Sequence, residues 1–174
     1  MNQKPVTMKY LYIVRHAKSS WDDLSLGDAE RPLSERGMRD APRMAKRMKE
    51  KEVAIDRMIS SPALRALSTC GIFSEVLKYP EENILIEKSL SHASEDGMLE
   101  VVHGLDDTLD TVMLFGHNPG LTDFVNSLTN EKIFNVPTSG VVACSFDADS
   151  WKDIDWGSGK LMYFDYPKSK NRNN

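Results

Sequence analysis

The feature that most constrains the fold of this chain is the alternation of short apolar runs with amphipathic segments. The run Tyr10–Val14 is rich in β-branched and aromatic residues and is bounded by polar sequence, as is typical of a fully buried strand. Further strands are predicted at 55–59, 83–86, 111–115, 141–146 and 160–164, and helices at 34–51, from Pro62 onward, at 94–104 and at about 121–128. This order predicts βαβ crossovers in a three-layer α/β/α sandwich with a mainly parallel central sheet.

Two of the predicted helices carry apolar residues at helical spacing, which we expect to cover the sheet. In the helix over 34–51 these residues are Met38, Ala41, Ala45 and Met48. In the helix that Pro62 opens they are Leu67, Cys70 and Leu77. Ser94 and Gly104 are predicted to be the N-cap and the stop signal of the third helix.

Length and charge limit the function classes. The 174 residues predict one domain over 1–174 with its core at about 8–166, a loose polar leader and a frayed polar tail. The formal net charge of -4 argues against a nucleic-acid binder, because such binding depends on clustered cations. No apolar run approaches the ~20 residues of a membrane span, so we expect no membrane partner and a cytoplasmic location. Cys70 and Cys144 are predicted to be buried thiols rather than a disulfide.

Basic residues follow three of the predicted strands. Arg15 and His16 end the first strand, Arg65 lies one turn into the helix after the second, and His117 follows the strand at 111–115. Singly, such an arginine is most often a solvated charge and such a histidine a packing residue. The carboxyl ends of parallel strands meet at one sheet edge, however, so the four side chains are expected to converge.

Two arginines and two histidines suit phosphoryl transfer. The transferred group spreads its charge over three oxygens, and arginine forks bind such oxygens in a bidentate way while staying charged. A neutral imidazole, with a reference pKa of about 6.5, can be the nucleophile that takes the phosphoryl group before water removes it. A second histidine can donate to the oxygens.

A set of longer motifs, which follow one another in the order known from one protein family, identifies that family. The segments are Arg15–Ala17, Lys18–Trp21, Asp28–Leu33, Glu35–Gly37, Ser60–Ala66 with Thr69, Gly116–Gly120 and Pro137–Gly140. In these motifs the chain resembles the histidine phosphatase superfamily, and most of all its short SixA-type phosphohistidine phosphatases. The resemblance covers about residues 9–164 and implies a phosphoglycerate-mutase-like core without a lid insertion.

The resemblance implies that His16 is the phosphorylated nucleophile and that Arg15, Arg65 and His117 clamp the phosphoryl group. The substrate-binding candidates are Arg31, Lys18, Asn118 and His92. For Arg31, a salt bridge with Asp28 or Glu30 is an equally good interpretation. Lys18 and Trp21 are candidates for the pocket entrance, although packing is the favoured role of Trp21.

The proton donor is where the chain departs from the wider superfamily, many of whose members place a carboxylate at the pocket. The equivalent segment, 88–94, offers His92 instead. Asp28 or Glu95 could substitute, but each is more simply a loop charge or a helix N-terminal residue. A phosphohistidine leaves as imidazole, for which a site without a dedicated acid is adequate. The 52-position interval between Arg65 and His117 leaves little room for a lid, so another protein could reach His16.

Other chemistries fit the sequence poorly. A cysteine phosphatase needs arginine six positions after its cysteine, where this chain has Val76 and Ser150. The segment 157–160 lacks the hydroxyl of a phosphate-binding loop and is predicted to be a hairpin turn. The four histidines show no metal-ligand spacing, so no metal and no cofactor are expected. Three functions remain: a phosphatase of histidine-phosphorylated signalling or phosphotransfer proteins, a small-molecule phosphatase or mutase, and a catalytically silent phosphoprotein-binding module.

Overall fold

The strands and helices of the structure follow the predicted order. The structure, a computed structural model, describes residues 7–170. Its main elements are β1 (Met8–Arg15), α1 (Glu35–Lys49), β2 (Arg57–Ser60), α2 (Leu64–Val76), β3 (Leu85–Ile86), α3 (Glu95–His103), β4 (Thr111–Gly116), α4 (Gly120–Thr129), β5 (Val141–Asp147) and β6 (Lys160–Asp165). Each predicted strand and helix is confirmed to within a few residues. The Ser94 side chain accepts a hydrogen bond from the Gly97 N–H, which confirms the predicted N-cap of α3.

The six strands form one mixed sheet in the order β3-β2-β4-β1-β5-β6. The first four strands of that order are parallel, whereas β5 runs antiparallel to both β1 and β6. The predicted α/β sandwich with a mainly parallel sheet is therefore confirmed. In the register, Arg15 of β1 lies opposite Gly116 of β4, and Ser60 of β2 lies opposite Phe115. The residues that follow these strands therefore emerge side by side at one edge.

Apolar layers cover both faces of the sheet. On one face Met44 and Met48 of α1 and Phe73 of α2 belong to one cluster of buried residues with Phe115, whose ring Phe73 contacts edge to face. On the other face, Met98 of α3 and Phe124 and Leu128 of α4 lie in a second cluster of buried residues. Burying each such side chain contributes roughly 1.5–3 kcal/mol, so the two layers hold the strand ends in a fixed relation. Cys70 and Cys144 are buried free thiols, as predicted.

The inner faces of α1 and α2 differ in part from the prediction. Met38 is 56% exposed, because the first turn of α1 turns Gly37 inward against the Lys18 backbone, where no side chain fits. In α2, Cys70 is fully buried as predicted, and Leu77 packs partly buried against the same core cluster. Leu67 is only half-buried, and Phe73 takes an inward position that the prediction did not name.

The start of α2 and the end of the described chain also differ from the prediction. Helix α2 begins at Leu64, so Pro62 precedes it instead of opening it. The tail expected to fray is packed as far as it is described, because Arg47 donates to the carbonyls of Tyr166 and Pro167, and Pro167 and Ser169 are buried. Of the predicted leader, 1–7, residues 1–6 lie outside the described residues, as do the last tail residues, 171–174.

Candidate active site

His16 lies where β1 leaves the sheet, and hydrogen bonds fix its backbone. Its N–H donates to the Gly116 carbonyl at 3.2 Å, while the N–H of Ser139 donates to the carbonyls of both Arg15 and His16. On the other side, the Ala17 N–H donates to Thr69 Oγ1 at 2.9 Å. Helix α2, β4 and the segment before β5 thus hold the residue in place.

The imidazole of His16 is held as a neutral ring with a defined tautomer. Nδ1 lies 2.8 Å from the carbonyl oxygen of Ala17. Because a carbonyl only accepts, Nδ1 carries the proton and Nε2 keeps its lone pair. Burial lowers the pKa of His16 to about 3, and the neighbouring His117 and arginines act in the same direction. The ring is therefore neutral near pH 7 and can act as a nucleophile.

Both predicted arginines lie at this edge of the sheet. Only some of the guanidinium nitrogens of each are hydrogen-bonded to other protein atoms. Arg65 donates from Nη1 to the Asp28 carbonyl at 2.8 Å and from Nη2 to the Asp28 carboxylate at 3.0 Å. Arg15 donates from Nη1 to the Val136 carbonyl at 3.0 Å. The Nε atoms of both arginines are buried and lack a partner within residues 7–170.

The ring of His117 lies beside that of His16, with a centroid separation of 5.2 Å. Its Nε2 is 2.7 Å from Ser61 Oγ, while Nδ1 is buried and has no partner in the described part of the chain. Burial and the charge of Arg65 lower the pKa of His117 to about 4. Buried polar atoms are rarely left unpaired. The unpaired nitrogens of Arg15, Arg65 and His117 therefore indicate a place for an acceptor-rich ligand such as an oxyanion.

A cavity of about 300 Å³ joins these side chains. Its lining consists of Arg15, His16, Lys18, Ser19, Trp21, Arg31, Arg65, His117, Asn118 and Thr138. The structure thus brings together the four residues predicted to be catalytic, along with three of the substrate-binding candidates, Lys18, Arg31 and Asn118. Lys18 is exposed at the rim.

Arg31 forms the predicted ion pair with Asp28, at 3.1 Å, and also lines the cavity. Its Nη1 donates to Ser19 Oγ at 2.7 Å, and its guanidinium lies 3.6 Å from the centroid of the Trp21 ring. Trp21 is 63% exposed, so the favoured prediction that it is a packing residue is wrong. The ring stacks on a cation at the entrance instead of entering an apolar layer.

Asn118 lies in the cavity wall, but its side chain is already engaged. The carboxamide oxygen accepts from Thr122, and the nitrogen donates to Asn135 and to the Val136 carbonyl. These bonds hold the segment that in turn binds Arg15. The contacts thus give Asn118 a role in positioning this wall.

His92 lies in the wall of a second cleft, of about 660 Å³, which shares Arg65, His117 and Asn118 with the cavity. The carboxylates that line this cleft belong to Asp28, Glu95, Asp96 and Asp123. Sequence reasoning named Asp28 and Glu95 as candidate acids but did not group them with Asp96 and Asp123, because the members of this set come from separate segments. It also missed Ser61, although Ser61 follows β2 just as His16 follows β1.

Within residues 7–170, no three His, Cys, Asp or Glu side chains are grouped so that they could hold a metal ion. No helix in that range is long and apolar enough to cross a membrane.

Comparisons with known proteins show which chains this one is similar to. An uncharacterized chloroplastic protein of Arabidopsis thaliana is 32% identical over 151 residues, which cover 82% of this chain and 69% of the relative. An uncharacterized protein of Mycobacterium tuberculosis is 28% identical over 171 residues, which cover 89% of this chain and all of the relative.

Solved structures share the fold. The protein histidine phosphatase SixA complexed with tungstate matches with a TM-score of 0.78 at 22% identity, over 91% of this chain and 97% of that one. A phosphoglycerate mutase from Bacillus anthracis matches with a TM-score of 0.62 at 13% identity, over 84% and 95%. The model of the histidine phosphatase superfamily, branch 1, matches residues 11–98, half of the chain. The chain therefore belongs to branch 1 of the histidine phosphatase superfamily and is an enzyme of the phosphatase class.

Proposed function

We propose that the protein dephosphorylates histidine-phosphorylated proteins of the signalling or phosphotransfer type through a phosphohistidine formed on His16. The observation that carries the proposal is the pairing of a free His16 Nε2 lone pair with buried, unpaired nitrogens on Arg15, Arg65 and His117. SixA binds tungstate in its solved structure, and tungstate is a tetrahedral oxyanion like phosphate. This supports an oxyanion as the ligand of the cavity.

The reaction proceeds in two displacements at phosphorus. His16 Nε2 attacks the phosphoryl group, the P–N bond to the substrate breaks, and its electron pair stays on the leaving imidazole, which takes a proton from water. Water then attacks the phosphohistidine, and the P–Nε2 bond breaks with its electron pair returning to Nε2. One proton of the attacking water stays on the inorganic phosphate, and the other neutralises the hydroxide left by the first step, so that phosphate and free His16 are released. Arg15, Arg65 and His117 hold the oxygens during both steps, and such preorganised donors stabilise the transition state.

The state of Asp28 supports a P–N substrate. Slight burial raises the pKa of Asp28, but the charge of Arg65 and the hydrogen bonds from Arg31 and Arg65 outweigh it, and the pKa lies below its usual value. Asp28 is therefore an ionised carboxylate that cannot protonate a leaving group near pH 7. Glu95 is the first residue of α3 and accepts a hydrogen bond from the hydroxyl of Ser127 in α4. These contacts suit a helix N-terminal residue.

The charge of the adjoining cleft supports a protein over a phosphorylated metabolite. Its carboxylates, including Glu95, Asp96 and Asp123, face the space next to the phosphoryl cavity. A substrate with further carboxylates or phosphates would meet like charges there, whereas an imidazole on a neutral or basic protein surface would not.

The exposed side chains around the cavity also support a protein substrate. The cavity has room for a phosphoryl group, and exposed Trp21 belongs to its lining, three positions before the exposed Leu24 in the chain. Phe134, which is fully exposed, lies next to Asn135, the partner of Asn118. Exposed aromatic and aliphatic side chains around a polar pocket are typical of protein-binding surfaces.

The alternative function is a small-molecule phosphomonoester phosphatase or mutase that uses the same nucleophile. An alkoxide leaving group needs a proton donor. His92 favours this alternative, because it lies in the cleft wall beside His117 and could supply the proton.

A substrate panel tests the proposal. Wild type and His16→Ala are compared on a histidine-phosphorylated phosphotransfer domain, phosphoserine, 3-phosphoglycerate and p-nitrophenyl phosphate. His103→Gln is the matched control, since His103 lies at the end of α3 and binds the Ile154 carbonyl outside the site. We expect the highest kcat/KM on the phosphohistidine, loss of turnover in His16→Ala only, and acid-labile label trapped on His16. Equal or faster turnover of the esters would contradict the protein substrate, and activity in His16→Ala would contradict the mechanism.

A further inference from the structure

We infer that Ser61 fixes the tautomer of His117, so that Nδ1 of His117 carries the ring proton and donates it as a hydrogen bond to the phosphoryl group. The catalytic consequence rests on the proposed function, whereas the tautomer depends only on the contacts of the two side chains. Ser61 is thus a positioning residue that acts through His117.

The hydrogen bonds of Ser61 determine which group donates. Ser61 is fully buried directly after β2, and its Oγ accepts from the Ala63 N–H at 3.2 Å. The same Oγ lies 2.7 Å from His117 Nε2. Within residues 7–170 no other acceptor takes its hydroxyl proton, so the proton has one destination, the lone pair of Nε2. The adjacent Ser60 hydroxyl is occupied elsewhere, with the Ser61 carbonyl at 2.8 Å.

The opposite arrangement leaves two groups unsatisfied. If Nε2 carried the proton and donated to Ser61, the buried hydroxyl proton of Ser61 would have no acceptor. Nδ1 would then present a lone pair, and it is the ring nitrogen left for the ligand, since Nε2 is occupied. A lone pair facing anionic oxygens is repulsive, whereas an N–H is attractive. Both effects favour the Nδ1–H form.

In His16, too, a hydrogen bond at one ring nitrogen fixes the tautomer and thereby the state of the other ring nitrogen. The Ala17 carbonyl holds the proton of His16 on Nδ1, which frees Nε2 as a nucleophile. Ser61 holds the lone pair of His117 Nε2, which frees Nδ1–H as a donor. Two rings with a centroid separation of 5.2 Å thus become a nucleophile and a hydrogen-bond donor although both are neutral. The partner of each ring, a carbonyl or a hydroxyl, makes the difference.

The tautomer is measured directly by ¹⁵N NMR of the histidine-labelled protein at neutral pH, with the His117 signals assigned from a His117→Gln variant. We expect a protonated Nδ1 and an unprotonated Nε2 in the wild type. A protonated Nε2 would overturn the inference. This measurement needs no substrate, so its outcome is independent of whether the proposed function is correct.

Variants connect the tautomer to the rate. Ser61→Ala is expected to mix the tautomers of His117 and to lower kcat by ~10- to 100-fold on both the phosphotransfer domain and p-nitrophenyl phosphate, as is usual for lost positioning partners. Ser60→Ala, the matched control, should change neither readout, and Ser61→Thr, which keeps the hydroxyl, should restore both. An unchanged tautomer and kcat in Ser61→Ala would refute the inference. If Ser61→Ala does not fold, the wild-type spectrum still decides.

Discussion

The carboxylate of Asp28 lies 3.0 Å from Nη2 of Arg65, so a loop residue from the segment after β1 orients a guanidinium from the first turn of α2. The same carboxylate pairs with Arg31 at 3.1 Å. Asp28 thus holds two arginines of the cavity wall at once. The Nε of Arg65 is left without a protein partner within the described range. The segment that contains Asp28 is therefore part of the proposed phosphoryl-binding site.

Asp28→Asn tests this relationship. The substitution keeps one acceptor oxygen but removes the charge that orients both guanidinium groups, and we expect kcat/KM to fall by about 10-fold or more. Asp22→Asn, in the same exposed loop, is the matched control and should retain wild-type activity. Equal kcat/KM values for the two variants would show that Asp28 does not position the arginines.

Arg65→Lys tests the guanidinium itself. Lysine keeps the charge but has neither the fork that binds Asp28 nor an Nε donor, so we expect kcat/KM to fall by ~10²- to 10³-fold, the usual effect of losing one oxyanion donor. Arg39→Lys on the exposed side of α1 serves as the control, and circular dichroism checks that both variants fold. If Arg65→Lys kept more than half of the activity, a point charge alone would suffice.

The pH–rate profile tests the neutrality of the two histidines. With pKa values lowered to about 3 for His16 and about 4 for His117, both rings are neutral from about pH 5 upward. We expect kcat on an acid-stable phosphomonoester, measured at saturation so that the titration of the free substrate near pH 6 does not enter, to show no acidic limb near pH 6.5 and to fall only below about pH 4 to 5. A limb with its midpoint near 6.5 would mean that the rings titrate as in solution.

Stability should depend on pH for the same reason. Both folded-state pKa values lie below the unfolded value of about 6.5, so the unfolded chain binds protons first, and the folded state loses stability as the pH falls below 6.5. The loss between pH 6.5 and 5 is about 2 kcal/mol for each histidine. Urea unfolding at several pH values measures it. In His16→Gln and His117→Gln the free energy of unfolding should depend less steeply on pH than in wild type or His92→Gln. Equal pH dependences in all four proteins would contradict the lowered pKa values.

Trp21→Ala tests whether the exposed rim contacts a protein substrate. The ring stacks on Arg31 at the entrance and is mostly exposed, so its loss should raise KM for a phosphotransfer domain by roughly 2- to 10-fold, in line with a lost cation–π and surface contact. The same variant should turn over p-nitrophenyl phosphate within twofold of wild type, which provides the internal control. Equal losses on both substrates would place Trp21 in the phosphoryl site instead.

Much of the fold and the centre of the site followed from the sequence, because the signals are local. A buried strand such as Tyr10–Val14 shows itself by composition, and residues that follow parallel strands must meet at one edge. His16 and His117 could therefore be placed together although a hundred positions separate them. The orientation of single side chains was less predictable. Met38 and Trp21 are mostly exposed to solvent, although their apolar character indicated burial.

Only the tertiary structure decided how the charged and polar groups are paired. The bonds of Asp28 to Arg65 and of Ser61 to His117 join positions 37 and 56 residues apart. Hydrogen bonds act over about 3 Å, so a shift of one side chain would make or break them without altering the hydrophobic pattern. The sequence by itself therefore determined which residues meet at the sheet edge. Packing determined which nitrogen of each residue is occupied and which is left without a partner in the described part of the chain.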